Sequence, residues 1–262
     1  MKYTHFLGLC VAVLLVGCLD QQISDEEVLD QQLLAAISKT SITGSFQHYV
    51  LPADNQLTSL PNIDPANPLT QEKIELGKML FFETGFGLKP RYNELTGTYS
   101  CSSCHVPSAG FTPGRFQGIA DGGIGFGYSG EMRRKEDQYG STDVDAQGVR
   151  ALSMFNTAYV TNSLWSGTFG SQDNNVGLEA IWRADTIAYV NDFGYKTLET
   201  QNIENYTIHR MTINEETITK LGYKELFDNA FPDLPKEQRY SPIGGSFALS
   251  AYLRSLITNQ AP

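Results

Sequence analysis

Cys101-Ser102-Ser103-Cys104-His105 is the stretch whose residue types and spacing could do chemistry. Two thiols three positions apart on one helical turn can each add to a vinyl group of a haem, and the adjacent imidazole then falls beneath the iron as its proximal ligand. The same dithiol could be a redox pair or half of a zinc site. Zinc would need two more ligands, yet beyond residues 1–18, which hold His5, Cys10 and Cys18, there is no other cysteine, and the only further histidines are His48 and His209. A thioredoxin-type pair would sit at a strand-to-helix junction in a βαβ pattern that this sequence lacks. The motif therefore points to covalent haem c. The sixth iron position decides between electron transfer and catalysis, since a methionine there gives a saturated carrier and an open position admits peroxide. Met79, Met132, Met154 and Met211 are the candidates, but methionine commonly fills core gaps, and Met79 reads as core within its apolar stripe.

The elements that must position this motif are helical. The chain has 262 residues, 41% of them hydrophobic, which suffices for one large or two small domains. Its net charge of −10 and its single diluted basic cluster, Arg133-Arg134-Lys135, argue against nucleic acid as a partner. Residues 1–18 read as a lipoprotein signal peptide: Lys2, an apolar run from Phe6 to Val16 too short to span a membrane, then Gly17-Cys18, with Cys18 the expected lipidation site. That predicts a protein of the bacterial cell envelope, facing the periplasm and held to the membrane by a lipid anchor only. Residues 19–69 read as an acidic amphipathic helix, about 25–38 with Ile23, Val28, Leu29, Leu33, Leu34 and Ile37 at helical spacing, and then a proline-rich linker. Thr70 is a plausible N-cap for a helix reaching Phe82, in which small Gly77 lets another helix approach. Helices are also expected over 152–160, 215–231 and 243–257. The glycine-rich stretch 110–130 is loop. Within it, Gly125-Phe126-Gly127-Tyr128-Ser129-Gly130 satisfies a dinucleotide fingerprint but lacks the strand before and the helix after.

In order and spacing, Leu76-Gly77-Lys78-Met79-Leu80-Phe81-Phe82-Glu83, Tyr99-Ser100 with the cysteine motif, and Ala109-Gly110-Phe111-Thr112 resemble the bacterial di-haem cytochrome c peroxidases, a family that includes the MauG enzymes. Leu152-Ser153-Met154-Phe155-Asn156-Thr157-Ala158-Tyr159 with Leu164-Trp165-Ser166-Gly167 resembles its next signature, and Leu198-Glu199-Thr200-Gln201 the segment that supplies a distal-side glutamine. The resemblance covers most of residues 70–262. It implies an all-α, class I cytochrome c-like haem domain over 70–262, with long loops, and one covalent haem c on Cys101, Cys104 and His105. The family carries a second haem domain that this sequence does not show, so the chain is expected to be the N-terminal, peroxidatic half, with that domain or a second copy as a partner.

The implied activity is reduction of hydrogen peroxide with electrons from a small donor such as a cytochrome c or a cupredoxin. Alternatives are a mono-haem electron-transfer lipoprotein and a MauG-like oxidation of a protein or metabolite. The resemblance gives Gln201 the task of orienting peroxide and Trp165 that of passing electrons between haems, with a plain core tryptophan the alternative. The family's active-site glutamate follows the glutamine by about ten residues, where this chain reads Ile208-His209-Arg210-Met211. His209 can carry a proton and Arg210 can draw off a leaving hydroxide; His209 is otherwise a structural histidine or a sixth iron ligand. No histidine stands between Gly118 and Gly127, where many members cap the resting haem, so no reductive opening is expected. Arg150 stands near the position of the family's calcium-binding asparagine, a departure that puts the calcium implied by the resemblance in doubt.

Overall fold

A computed structural model of the chain describes residues 24–41 and 43–259, without the side chains of Asp54 and Asn55. Cys18 and Ile23 lie outside the described residues. No helix among the described residues is long and apolar enough to cross a membrane. The chain forms two units, dividing between Val50 and Leu51.

In the first unit, helix α1 (Asp25–Thr40) starts at a capping box. The Ser24 hydroxyl accepts from the Glu27 amide (3.1 Å), and the Glu27 carboxylate accepts from the Ser24 amide (2.8 Å). Three acidic residues in the first turn favour the positive end of the helix dipole. Val28, Leu29, Leu33 and Leu34, the stripe expected to be one face of an amphipathic helix, are exposed, and α1 buries none of its residues.

The second unit is mostly helical and is organised around α8 (Pro242–Ser255), which opens with Pro242 in its first turn and the Ser241 hydroxyl accepting from the Ile243 amide (3.1 Å). Eleven consecutive residues, Gly244 to Arg254, are buried because α2 (Gln71–Phe82) and α4 (Thr197–Ile208) both pack on this helix. Thr70 caps α2 as expected, its side chain accepting from the Lys73 amide. Gly77 lies where α2 crosses α8: a Cβ there would stand 1.9 Å from the Ala248 carbonyl oxygen. The buried face of α2 is Lys73, Leu76, Gly77, Leu80 and Phe81, which leaves Met79 half-exposed, contrary to its expected place in the core. The buried arc runs from Leu76 through Leu80 and Gly77 to Phe81, and Met79 lies about 60° beyond its Leu76 edge. Residues 51–69, read as a linker, supply buried Leu60, Asp64 and Asn67; Asp64 accepts from the amides of Ala66 (2.8 Å) and Lys196 (2.6 Å).

Two expected helices differ. Over 152–160 only the short turn Thr157–Tyr159 is helical. Asn156, at φ +59°, docks this segment on the end of α8, its amide donating to the Leu256 carbonyl (2.7 Å) and its side chain to the Thr258 hydroxyl (2.9 Å). The stretch 215–231 forms two helices, α5 (Glu215–Lys220) and α6 (Lys224–Ala230). Between them Gly222, at φ +82°, closes α5 with bonds from the Tyr223 amide to the Ile218 carbonyl (2.9 Å) and from its own amide to Thr219 (3.1 Å). Short helices α3 (Glu179–Ala184) and α7 (Lys236–Arg239) complete the set. Long irregular segments fill much of 83–178, with one two-residue antiparallel pair, β1 (Gly123–Ile124) against β2 (Arg134–Lys135).

Candidate haem site

Cys101–Ser103 form one 3-10 turn, and the Cys104 and His105 amides donate to the Cys101 carbonyl at 3.2 and 3.1 Å. Both thiols are free; Cys104 is buried in the main core with Phe81, Phe111, Tyr206 and Met211, and half-buried Cys101 packs against that core. Burial pushes the Cys101 thiol up to about 11 and, with the charge of Asp145, Cys104 up to about 12. That is the reverse of a dithiol tuned for exchange, which needs its thiolate near neutral pH.

His105 is oriented by backbone geometry. Gly110 (φ +64°) and Phe111 (φ +56°) both adopt the left-handed conformation. Their turn is closed by the Phe111 amide to Val106 and by the Val106 amide to Thr112, each 2.9 Å. The Phe111 carbonyl thereby lies 3.0 Å from His105 Nδ1. A carbonyl only accepts, so Nδ1 carries the proton and Nε2 is left as the metal-binding nitrogen. Burial lowers the proton affinity of His105, favouring the neutral form a metal ligand must have. Phe81 packs edge-on against Phe111 and Tyr252, at 5.7 and 5.5 Å between ring centroids, and so links the turn to α2 and α8.

A second structure approaches from the end of α4. His209 is its C-cap, and Arg210, at φ +54°, occupies the left-handed position where glycine is usual. The closing bonds are those from the Met211 amide to Tyr206 (2.8 Å) and the Arg210 amide to Thr207 (3.1 Å). The Arg210 guanidinium pairs with buried Asp121 and donates to the Asp143 carbonyl (2.7 Å), which offsets the cost of its backbone conformation. Its carbonyl accepts from the Tyr99 hydroxyl at 2.7 Å, two residues before Cys101. His209 Nδ1 lies 2.9 Å from a carboxylate oxygen of Asp145, and its charge reaches far enough to depress the proton affinity of His105.

Of the residues singled out from sequence, Cys101, Cys104, His105 and His209 are thus in one neighbourhood, with Arg210 held in an ion pair beside them. Gln201 is half-buried on α4, but eight residues before His209, which is about 12 Å along a helix axis. Trp165 is fully exposed at the tip of a turn closed by the Ser163–Phe169 bridge, so it is no core residue. Met132 is exposed, Met154 packs against the core, and Met211 is buried within it. Three side chains drew no notice in the sequence. Asp121 and Asp145 are single aspartates in a patternless loop, recognisable only once folding brings α4 to them. Glu204 is buried with one carboxylate oxygen unpartnered, and burial raises its proton affinity.

The residues fit a haem. Two unpaired thiols and a neutral imidazole with its Nδ1 already bonded are the donor set that thioether attachment and axial ligation require. The buried Tyr206 hydroxyl, whose surroundings include Cys101, has no hydrogen-bond partner and is available to a polar edge of a bound group. Among the described residues no group of three or more His, Cys, Asp or Glu is placed to hold a bare metal ion.

In a mostly helical chain, this motif is the donor set by which proteins hold haem c covalently. Residues 71–262 match the di-haem cytochrome c peroxidase family, and the chain belongs to that family. It is 28% identical over 200 residues to the methylamine utilization protein MauG of Methylorubrum extorquens, an alignment covering 75% of this chain and 41% of MauG. It is 30% identical over 107 residues to the cytochrome-c peroxidase IdrP1 of Denitromonas iodatirespirans, covering 40% of this chain and 20% of that protein. Among solved structures, a MauG-like protein associated with microbial copper homeostasis aligns with TM-score 0.47 and 21% identity, over 79% of this chain and 46% of that one. The chain therefore spans less than half the length of these relatives.

Proposed function

We propose that this chain is the peroxide-binding half of a haem c peroxidase, folded like a class I cytochrome c, exported through its signal and anchored at Cys18 by lipid, facing the periplasm. The observation that carries the reading is the His105 geometry, a neutral imidazole steered by the Phe111 carbonyl and flanked by two free thiols. Cys101 and Cys104 would hold the haem through thioethers and His105 its iron; when bound, the haem supplies an iron that takes peroxide and exchanges electrons. The chain's own residues do the rest. Phe111 fixes the imidazole, the core around Phe81 and Met211 excludes water from one side, and His209 moves a proton between the two peroxide oxygens. Electrons come from a small donor such as a cytochrome c or a cupredoxin.

A MauG-like oxidation of a protein or metabolite is favoured by one feature, the exposed Trp165, an aromatic surface through which an electron can pass to another protein. Both readings are tested on protein matured in a host that attaches haem c. The expected result is one covalent haem per chain, lost in Cys104→Ser, and peroxide-dependent oxidation of reduced donor. Modification of added protein in place of donor oxidation would select the MauG-like reading. A haem-loaded protein inert to peroxide would overturn both and leave an electron carrier.

A further inference from the structure

His209 and Asp145 are brought to the haem motif by two different segments of the chain. α4 delivers His209, and the adjacent Arg210 carbonyl is tied to Tyr99, two residues before Cys101. The loop delivers Asp145: its carbonyl accepts from the Ala120 amide (2.9 Å), and two residues earlier Gly118 lies so close to Cys104 that a Cβ would stand 2.8 Å from its sulfur. Asp145 is bracketed further by its own amide, which donates to the Asp121 carbonyl at 2.9 Å. The Asp145 side chain is only 9% exposed and that of His209 26%. Their 2.9 Å contact is thus a shielded one whose two halves are each fixed by other bonds. The other charged or titratable groups near the pair are Arg210, with Asp121 and Asp143, and His105, which feels the charge of His209.

We propose that Asp145 is the positioning residue for His209: its carboxylate accepts the Nδ1 proton, fixing the imidazole in the tautomer whose Nε2 is bare and able to take a proton. This rests on the peroxide reading and names the group that makes His209 a proton acceptor. Free imidazole prefers the proton on Nε2, where it could accept nothing; a carboxylate on Nδ1 reverses that preference and stabilises the imidazolium formed when a proton arrives. The proton leaves one oxygen of hydrogen peroxide, rests on Nε2 and passes to the other oxygen, which departs as water when the O–O bond breaks; the oxygen left behind is released as a second water with two electrons from the small donor and two protons from solvent, so the histidine ends each turnover as it began.

The test uses the haem-loaded protein and two readouts independent of turnover. The first is the ¹⁵N spectrum of His209 in the reduced, carbon monoxide-bound form, assigned with His209→Gln. The second is the rate at which hydrogen cyanide binds the ferric protein, which requires loss of its proton. Asp145→Ala should move the proton to Nε2 and slow cyanide binding roughly 100-fold, the scale of a lost general base; Asp145→Glu should restore part of both. A tautomer unchanged in Asp145→Ala overturns the proposal, as does a switched tautomer with wild-type cyanide binding, or a low-spin ferric signal that His209→Gln abolishes, which would make His209 an iron ligand. A protein that ignores peroxide yet shows the expected tautomer and cyanide effects would sink the peroxidase reading and leave the role of Asp145 standing.

Discussion

Glu204 shows how one side chain carries a cost that its neighbours do not relieve. Its carboxyl is buried on α4, one oxygen lacks a partner, and desolvation raises its proton affinity, opposed by the Tyr189 phenol beside it. A carboxyl whose folded-state proton affinity exceeds its unfolded one contributes stability below the ordinary carboxylate range, and that stability is lost as pH rises through the raised value. Glu204→Gln should therefore melt with wild type at acidic pH and above it at neutral pH. Thermal melts across that range check this, and a constant difference at every pH would contradict it. Nothing in the sequence marks Glu204, since burial of a lone carboxylate is a product of packing. Cys101, Cys104 and His105 were legible because thioether chemistry fixes their spacing within five residues, whereas His209 needs Asp145, 64 positions away, before its role can be read.

At the scale of elements, the crossing of α2 over α8 depends on the absence of a side chain. Because the obstacle to a Cβ at Gly77 is backbone, the Ala248 carbonyl at 1.9 Å, the helices must move apart to admit one. Gly77→Ala should destabilise by about 3 kcal/mol, the upper range for overpacking, despite the better helix propensity of alanine. Gly148→Ala, with no atom within 4 Å of the added carbon, should be near neutral in the same denaturant titration. α2 and α8 were legible to within two residues because caps, apolar spacing and small residues agree. The 215–231 stretch was not: Ile218, Leu221, Leu226 and Phe227 continue an apolar pattern straight through Gly222, and the left-handed turn at that glycine outweighs the periodicity. The loops of 83–178 were legible only as loops, since their shape comes from long-range bonds such as Asn156 to Leu256.

Across the whole second unit, three distant segments meet at one buried charge. Arg254, in the last turn of α8, makes a two-pronged pair with Glu199 of α4 at 2.5 and 2.7 Å and donates to the Asn62 carbonyl at 3.1 Å. Asn67 donates to the same carboxylate and to the Phe247 carbonyl, each 2.9 Å. Both charges are almost wholly sealed from water, so neither tolerates loss of the other. Arg254→Met should cost about 3–5 kcal/mol, mostly the penalty of stranding Glu199, and Glu199→Gln should cost a comparable amount by stranding the guanidinium. Removing both charges together should cost clearly less than the two single changes combined, because no uncompensated ion remains. Chemical denaturation of the four proteins closes that cycle. Additive costs would mean that the pair does not hold α4, α8 and the 62–67 segment in common, and that the haem site's position relies on apolar packing alone.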